Sequence, residues 1–168
     1  KGAQLTHRGC ITNLFNMLYA GASTALAVQR ATGVAPPATP PIPVSLLTTP
    51  LFHVTANNCG AYATTAAGGT IVLMYRWDAG EALRIIEKER VTSIGGVPVM
   101  ARELINHPDF ATTDVSSLTS LSGGGAQVPP DLVHKIEDGV ASARPSTGYG
   151  MTETCGIITS NSGDFFVD

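Results

Sequence analysis

The residues best suited to chemistry lie close together late in the chain, in Ser146–Thr147–Gly148–Tyr149–Gly150–Met151–Thr152–Glu153–Thr154. Tyr149 is flanked by glycines, so its ring can lie open against a planar base. Such stacking contributes about 1–3 kcal/mol and needs no charge. Thr152 offers a hydroxyl to a phosphate oxygen. Glu153 offers a hard oxygen ligand of the kind that shares Mg²⁺ with phosphates. Stack, donor and metal ligand within five residues describe a compact nucleotide site. Taken alone, the same string also reads as a tight turn with a surface glutamate.

A second candidate precedes it. Ser122–Gly123–Gly124–Gly125–Ala126–Gln127 follows a strand-like stretch and leads into a helix opened by Pro129–Pro130. With no Cβ at three positions, the backbone amides can approach a flat or anionic ligand closely. A flexible strand-to-helix turn explains the glycines equally well, and the spacing does not match the Gly-x-x-x-x-Gly-Lys-Ser/Thr phosphate loop. His53, after Pro50–Leu51–Phe52, is a possible pocket residue. On chemistry alone, a lone histidine on apolar ground is more often a hydrogen-bonded core residue. Arg76–Trp77 is either a surface anchor or a packing corner.

These groups need a scaffold, and the hydrophobic pattern supplies one. Thr6 can cap a helix running to about Val28, with Leu14, Leu18, Ala22 and Leu26 on one face and Gly33 as its terminator. We read it as a buried core helix; its uncharged run is long enough to span a membrane, but Thr12, Asn13 and Asn16 interrupt it. Ala31 to Pro43 holds five of the eleven prolines and must be an extended connection. Strands are expected at 44–48, 70–75, 91–94, 118–122, 144–149 and 156–160, with 70–75 fully buried. Residues 53–68 are weakly helical. Asp78, with Glu81 three residues on, opens the clearest helix. Ala82, Leu83, Ile85 and Ile86 form its apolar face, and Arg84, Glu87, Lys88, Glu89 and Arg90 form a solvated one. Pro98 and Pro129 start two more helices, the first running to about Asn106 and the second to about Val140. Alternating strands and helices predict an α/β fold: a mostly parallel sheet with helices on both faces. Ligands of such sheets sit beyond the carboxyl ends of the strands, where both glycine-rich segments fall.

Composition excludes several classes. The 168 residues include 10 Lys and Arg and 13 Asp and Glu, a formal net charge of −3, so no field attracts a polyanion and nucleic-acid binding is not expected. Hydrophobic residues make up 43% and charged residues 14%, against about 25% charged in an average domain, which excludes disorder. Between Arg30 and Arg76 there is no Asp, Glu, Lys or Arg. That gap predicts an interior portion of a larger domain, with the rest of the parent polypeptide covering it. The three cysteines, Cys10, Cys59 and Cys155, are odd in number and widely spaced, which argues against a disulfide framework or a zinc site and for a reducing, cytoplasmic setting. No signal peptide or transmembrane segment is expected.

The motifs together resemble one family. Gly148–Tyr149–Gly150–Met151–Thr152–Glu153 resembles the Gly-Tyr-Gly-x-Thr-Glu signature of the adenylate-forming, AMP-binding enzymes. Thr49–Pro50–Leu51–Phe52–His53 resembles the Pro-Leu-Phe-His motif of the acyl-CoA synthetase (fatty acid–CoA ligase) branch. Gly124–Gly125–Ala126 resembles the Gly-Gly-Ala-Pro segment, and Lys1–Gly2 the end of the family's phosphate loop. Asp78 to Val91 and Gly96–Val97–Pro98 fall where the family has a helix and a Val-Pro turn. The resemblance implies that Tyr149, between Gly148 and Gly150, stacks on adenine. It implies that Thr152 binds phosphate and Glu153 coordinates Mg²⁺, these two serving catalysis. By the same resemblance Gly124, Gly125 and Ala126 form the other wall, Lys1 trails the phosphate loop, and His53 lines the acid pocket. The implied substrates are ATP, CoA and a small carboxylic acid, a fatty acid by this branch. An amino-acid or aryl adenylation domain, a nucleotide-binding module without chemistry and a scaffold without ligand are the alternatives. Gln127 stands where the family has proline, Gly123 where serine is common, and Thr147 where many members carry an amide. Residues 1–168 resemble an internal fragment of the N-terminal domain, lacking the phosphate loop upstream and the C-terminal domain, and we expect the isolated chain to be inactive.

Overall fold

The computed structural model describes residues 2–140 and 143–162. Six strands form one sheet: β1 (Val44–Leu47), β2 (Thr70–Leu73), β3 (Ser93–Gly96), β4 (Ser120–Gly124), β5 (Arg144–Met151) and β6 (Gly156–Ser162). Their order across the sheet is β2-β1-β3-β4-β5-β6. The first five run parallel, and β6 returns antiparallel to β5. The expected mostly parallel α/β fold is therefore present.

Register explains how the layers form. Val72, Leu46, Ile94, Leu121 and Pro145 make a continuous row across five strands. Under this row pack α3 (Ala79–Glu89), α4 (Pro98–Ile105) and α5 (Pro130–Gly139), which contribute Ala82, Leu83, Ile86, Ala101, Leu104, Leu132 and Ile136 to one core cluster. Each helix starts where its sequence signal lies. The Asp78 carboxylate accepts the Glu81 N–H at 2.7 Å, and Pro98 and Pro130 occupy first-turn positions. Trp77 is a packing corner whose Nε1 donates to Glu103 at 2.6 Å while its ring lies against the core. Arg90 ends α3 in a left-handed conformation and reaches Asp114 and Ser116.

The opposite face has a different composition. Ser45, Ser93 and Ser120 are aligned there, with the Ser45 and Ser93 hydroxyls 2.9 Å apart. It is covered by α1 (His7–Thr32), a π-helical segment (Thr55–Ala61) and the short α2 (Tyr62–Ala66), whose Thr64 hydroxyl donates to Ser45 at 2.8 Å. Helices thus lie on both faces, as expected.

Several expectations are corrected. α1 is capped by Thr6 and terminated by Gly33 as its sequence predicts, but it is not a core helix. Leu18 and Leu26 on the predicted face are each 46% exposed, and its one buried residue is Asn13. It packs on the π-helical segment, α2 and β6, and leaves Phe15, Tyr19 and Val28 exposed. The strand at 70–75 ends at Leu73 and is not fully buried: β2 is the sheet edge, and Tyr75 is fully exposed. β3 and β4 each start two residues later than predicted. Val91 and Leu118 instead anchor the turns before them, through Val91 N–H to Ile86 and Leu118 N–H to Val115. Among the described residues, no helix is long and apolar enough to cross a membrane.

Candidate functional site

Because β1, β3, β4 and β5 are parallel, the segments that follow them emerge at one edge of the sheet: Thr48–His53, Val97, Gly125–Gln127 and Met151–Thr154. All the candidate residues within the described chain therefore sit at or beside the carboxyl edge, where open α/β sheets bind ligands. Three strand steps separate the ends of β1 and β5, about 14 Å at the usual spacing. Lys1 lies outside the described residues.

At the β5 end is a cleft of about 580 Å³, lined by Gly125–Gln127, Thr147–Gly150 and Thr159–Asn161. That volume is within the range of small-molecule sites. Tyr149 stands on its wall with 61% of its surface exposed. The sequence predicts a strand over 144–149; in the structure β5 runs on to Met151, so Gly150 is a strand residue together with Gly148 and Tyr149. Tyr149 and Thr147 share one face by alternation, and their partners on β6 are Thr159 and Asn161. A register irregularity at Tyr149/Gly150 lets the strand bend there.

The three glycine positions differ in what they do. A Cβ on Gly150 would fall 2.1 Å from the Gly156 carbonyl oxygen, so this glycine is needed for β5 and β6 to approach. A Cβ on Gly148 would meet nothing closer than 3.7 Å. Its nearest neighbours would be Ile157 and the Thr159 carbonyl at ordinary van der Waals distance, so the fold has no steric need for that glycine. The loop glycines are also redistributed relative to expectation. Gly123 and Gly124 belong to β4, pairing with Thr147 and Gly148, and only Gly125 turns the chain, at φ 74. The floor between β4 and β5 is consequently bare backbone.

Thr152 and Glu153 are not on the cleft wall. They form a 3-10 turn, Thr152–Thr154, immediately beyond it, and both are exposed. Thr154 closes this turn. Its Oγ1 accepts the Met151 N–H at 3.2 Å and lies 2.9 Å from the carbonyls of Met151 and Gly156, donating to one at a time. Cys155 leaves the turn at φ 61, an uncommon conformation for a residue with a side chain. The Glu153 carboxylate makes no hydrogen bond or ion pair with any described residue. No group of three or more His, Cys, Asp or Glu side chains able to hold a metal occurs among the described residues. Any Mg²⁺ at Glu153 would therefore take most of its ligands from phosphate and water, which is its usual habit. An exposed carboxylate next to an exposed threonine hydroxyl, neither paired with a described side chain, fits that role.

His53 is exposed rather than buried, so it is not a core histidine. Its Nδ1 accepts the Thr55 N–H at 3.2 Å, opening the π-helical segment. It does not line the cleft. A second opening, of about 490 Å³, lies between α1 and the π-helical segment, lined by Leu14, Asn57, Ala61 and Tyr62 among others, without a charged side chain.

One arrangement was not visible in the sequence. The distant Cys10, Cys59 and Cys155 converge beneath the Thr152–Thr154 turn. The Asn58 Nδ2 donates to the Cys155 carbonyl at 2.9 Å and lies 3.5 Å from the Cys10 sulfur. Burial pushes the Cys59 thiol up, opposed by the Ile157 backbone and Asn13. Burial also raises Cys155, and the Cys10 thiol beside it adds to the effect. Asn13 lies against Cys59 and Gly156, yet neither atom of its buried amide reaches hydrogen-bond geometry. The pair Asn57–Asn58 within a run of small residues was the available signal.

The family model described as "AMP-binding enzyme" matches residues 1–166. The chain belongs to the AMP-binding enzyme family. Among relatives, a feruloyl-CoA synthase from Amycolatopsis sp is 38% identical over 91% of this chain and 28% of its own length. A 4-coumarate–CoA ligase-like protein from Oryza sativa subsp. japonica is 31% identical over 97% of the chain and 29% of its length. Among solved structures, the N-terminal domain of FACL13 from Mycobacterium tuberculosis matches at TM-score 0.63 and 30% identity, over 70% of this chain and 29% of that one. A long-chain-fatty-acid-CoA ligase from Archaeoglobus fulgidus matches at TM-score 0.69, over 96% and 31%; at 24% identity it supports the fold. The chain thus spans under a third of the length of the curated AMP-binding relatives it matches.

Proposed function

We propose that the intact protein carrying this chain is an AMP-forming acid–thiol ligase. The observation that carries this reading is an open tyrosine on a cleft at the carboxyl edge of the sheet, followed in the turn after its strand by a carboxylate that pairs with no described residue. In the first step an oxygen of the carboxylic acid bonds to the α-phosphorus of ATP and pyrophosphate leaves. In the second the thiol of CoA bonds to the acyl carbon and AMP leaves. Tyr149 stacks on adenine over the bare floor made by Gly124, Gly125, Ala126, Gly148 and Gly150. The Thr152 hydroxyl hydrogen-bonds a phosphate oxygen. Glu153, with phosphate, holds Mg²⁺, which when bound offsets negative charge at phosphorus. Lys1 belongs to the phosphate side and His53 to the acid side.

The names of the relatives favour an aryl acid of the ferulate or coumarate type. The Pro-Leu-Phe-His string favours a fatty acid, which is the second reading. CoA as acceptor and three free thiols suit a cytoplasmic setting. Acid-dependent pyrophosphate release by the intact protein, with ATP, CoA and ferulate, 4-coumarate, octanoate or palmitate, tests both. Release with an aryl acid alone supports the first reading and release with a fatty acid alone the second. No release with any acid, or release unaltered by Tyr149→Ala, overturns the proposal.

A further inference from the structure

The turn that carries Thr152 and Glu153 is held by two clasps. One is local, the Thr154 hydroxyl described above. The other comes from 97 residues earlier, where the 3%-exposed Asn58 donates to the Cys155 carbonyl. This bond meets the turn at its most constrained residue, the one at φ 61. The next residue is equally constrained: Gly156, at φ 138, lies so close to Asn13 that a Cβ would come within 2.6 Å of the Asn13 amide nitrogen. The Asn58 bond holds the Cys155 carbonyl where the chain passes from the turn into β6. Asn58 belongs to the π-helical segment opened by His53, so one buried amide ties the strand-β1 side of the carboxyl edge to the strand-β5 side.

We propose that Asn58 is a positioning residue, which touches neither nucleotide nor metal but orients the Thr152–Glu153 turn through the Cys155 carbonyl. This rests on the ligase reading above. The bond is buried and neutral on both sides. Losing the donor leaves a buried carbonyl unpaired, and the turn must shift to find water or another donor. A turn that wanders by even an ångström misplaces a carboxylate that must meet phosphate-bound Mg²⁺.

The test uses the intact protein and two readouts. Asn58→Ala is expected to raise the Mg²⁺ concentration for half-maximal adenylation about fivefold or more while leaving KM for the acid within twofold. Independently of activity, amide hydrogen exchange is expected to quicken at Met151 and Cys155, whose N–H groups close the turn, and to stay unchanged in the ladder from Ser146 to Tyr149. A merely structural role would lower Tm and the active fraction without moving the Mg²⁺ dependence. If Asn58→Ala does not fold, Asn58→Ser keeps a polar group at the position with a hydroxyl too short to reach the carbonyl. A folded variant with unchanged Mg²⁺ half-activation overturns the proposal. If Glu153→Gln also leaves the Mg²⁺ dependence unchanged, the ligase reading of the turn fails instead.

Discussion

The two faces of the sheet are built by different means. Below it, α3, α4 and α5 close a dry core over the row from Val72 to Pro145. Above it, α1 and the π-helical segment meet serines, threonines, buried asparagines and thiols, while Phe15 and Tyr19 of α1 stay exposed. Parallel sheets usually carry near-continuous apolar strands because both faces are buried in hydrocarbon. Here Ser45 and Ser93 interrupt the apolar run on the upper face, although Leu47 packs there against Gly60 of the π-helical segment. The apolar face supplies stability through burial, which is additive and forgiving. The polar face supplies direction through hydrogen bonds, which fix where the carboxyl edge points. The first holds the fold together and the second holds the site.

That division can be broken by mutation. Leu104→Ala, fully buried below the sheet, is expected to cost about 2–5 kcal/mol in chemical denaturation. Leu18→Ala on α1 is expected to stay within about 0.5 kcal/mol. Equal costs would show that α1 is as much a core element as α4. Next in size is Tyr149→Ala, expected to weaken AMP binding by the intact protein by about 1–3 kcal/mol with unchanged Tm. Binding by calorimetry that is indifferent to the ring removes the stacking role.

The signature glycines sharpen the same contrast. Gly150→Ala is expected to destabilise by about 1–3 kcal/mol because its Cβ would overlap the Gly156 carbonyl. Gly148→Ala, whose Cβ would sit in ordinary contact with Ile157, is expected to leave Tm unchanged. The reverse assignment would mean that Gly148, not Gly150, is the structural glycine.

The smallest effect concerns the outer rim of the dry layer. Hydrogen bonds from Ser116, then the Arg90 guanidinium, hold the Asp114 carboxyl down to about 2. A depressed carboxyl stabilises the folded state above its ordinary value of 3.8, and this stabilisation is lost as pH falls toward about 2. The Tm difference between the native protein and Asp114→Asn should be small at neutral pH and close between pH 4 and 2. A gap that instead widens with acid would refute the assignment.

Much of this was legible in the sequence. Asp78, Pro98 and Pro129–Pro130 announced three helices because capping and first-turn proline are local effects, decided within one turn. Tyr149, Thr152 and Glu153 marked a candidate site because their spacing, on a strand end and the turn after it, is also local. The errors cluster where tertiary position intervenes. Leu73 and Tyr75 have the residue types of a buried strand, but strand order put β2 at the edge. The apolar spacing of α1 promised a buried face, but Leu18 and Leu26 on that face stay about half exposed.

Strand and helix types, their caps and the nucleotide signature were determined by the chain's own order of residues, because they depend on neighbours a few positions apart. Which of the signature glycines lets two strands touch, and that Asn58 bonds the turn beyond Tyr149, were decided only in three dimensions. A hydrogen bond between residues 97 positions apart leaves no periodicity in the sequence. It exists only once the sheet has brought the ends of β1 and β5 to the same edge.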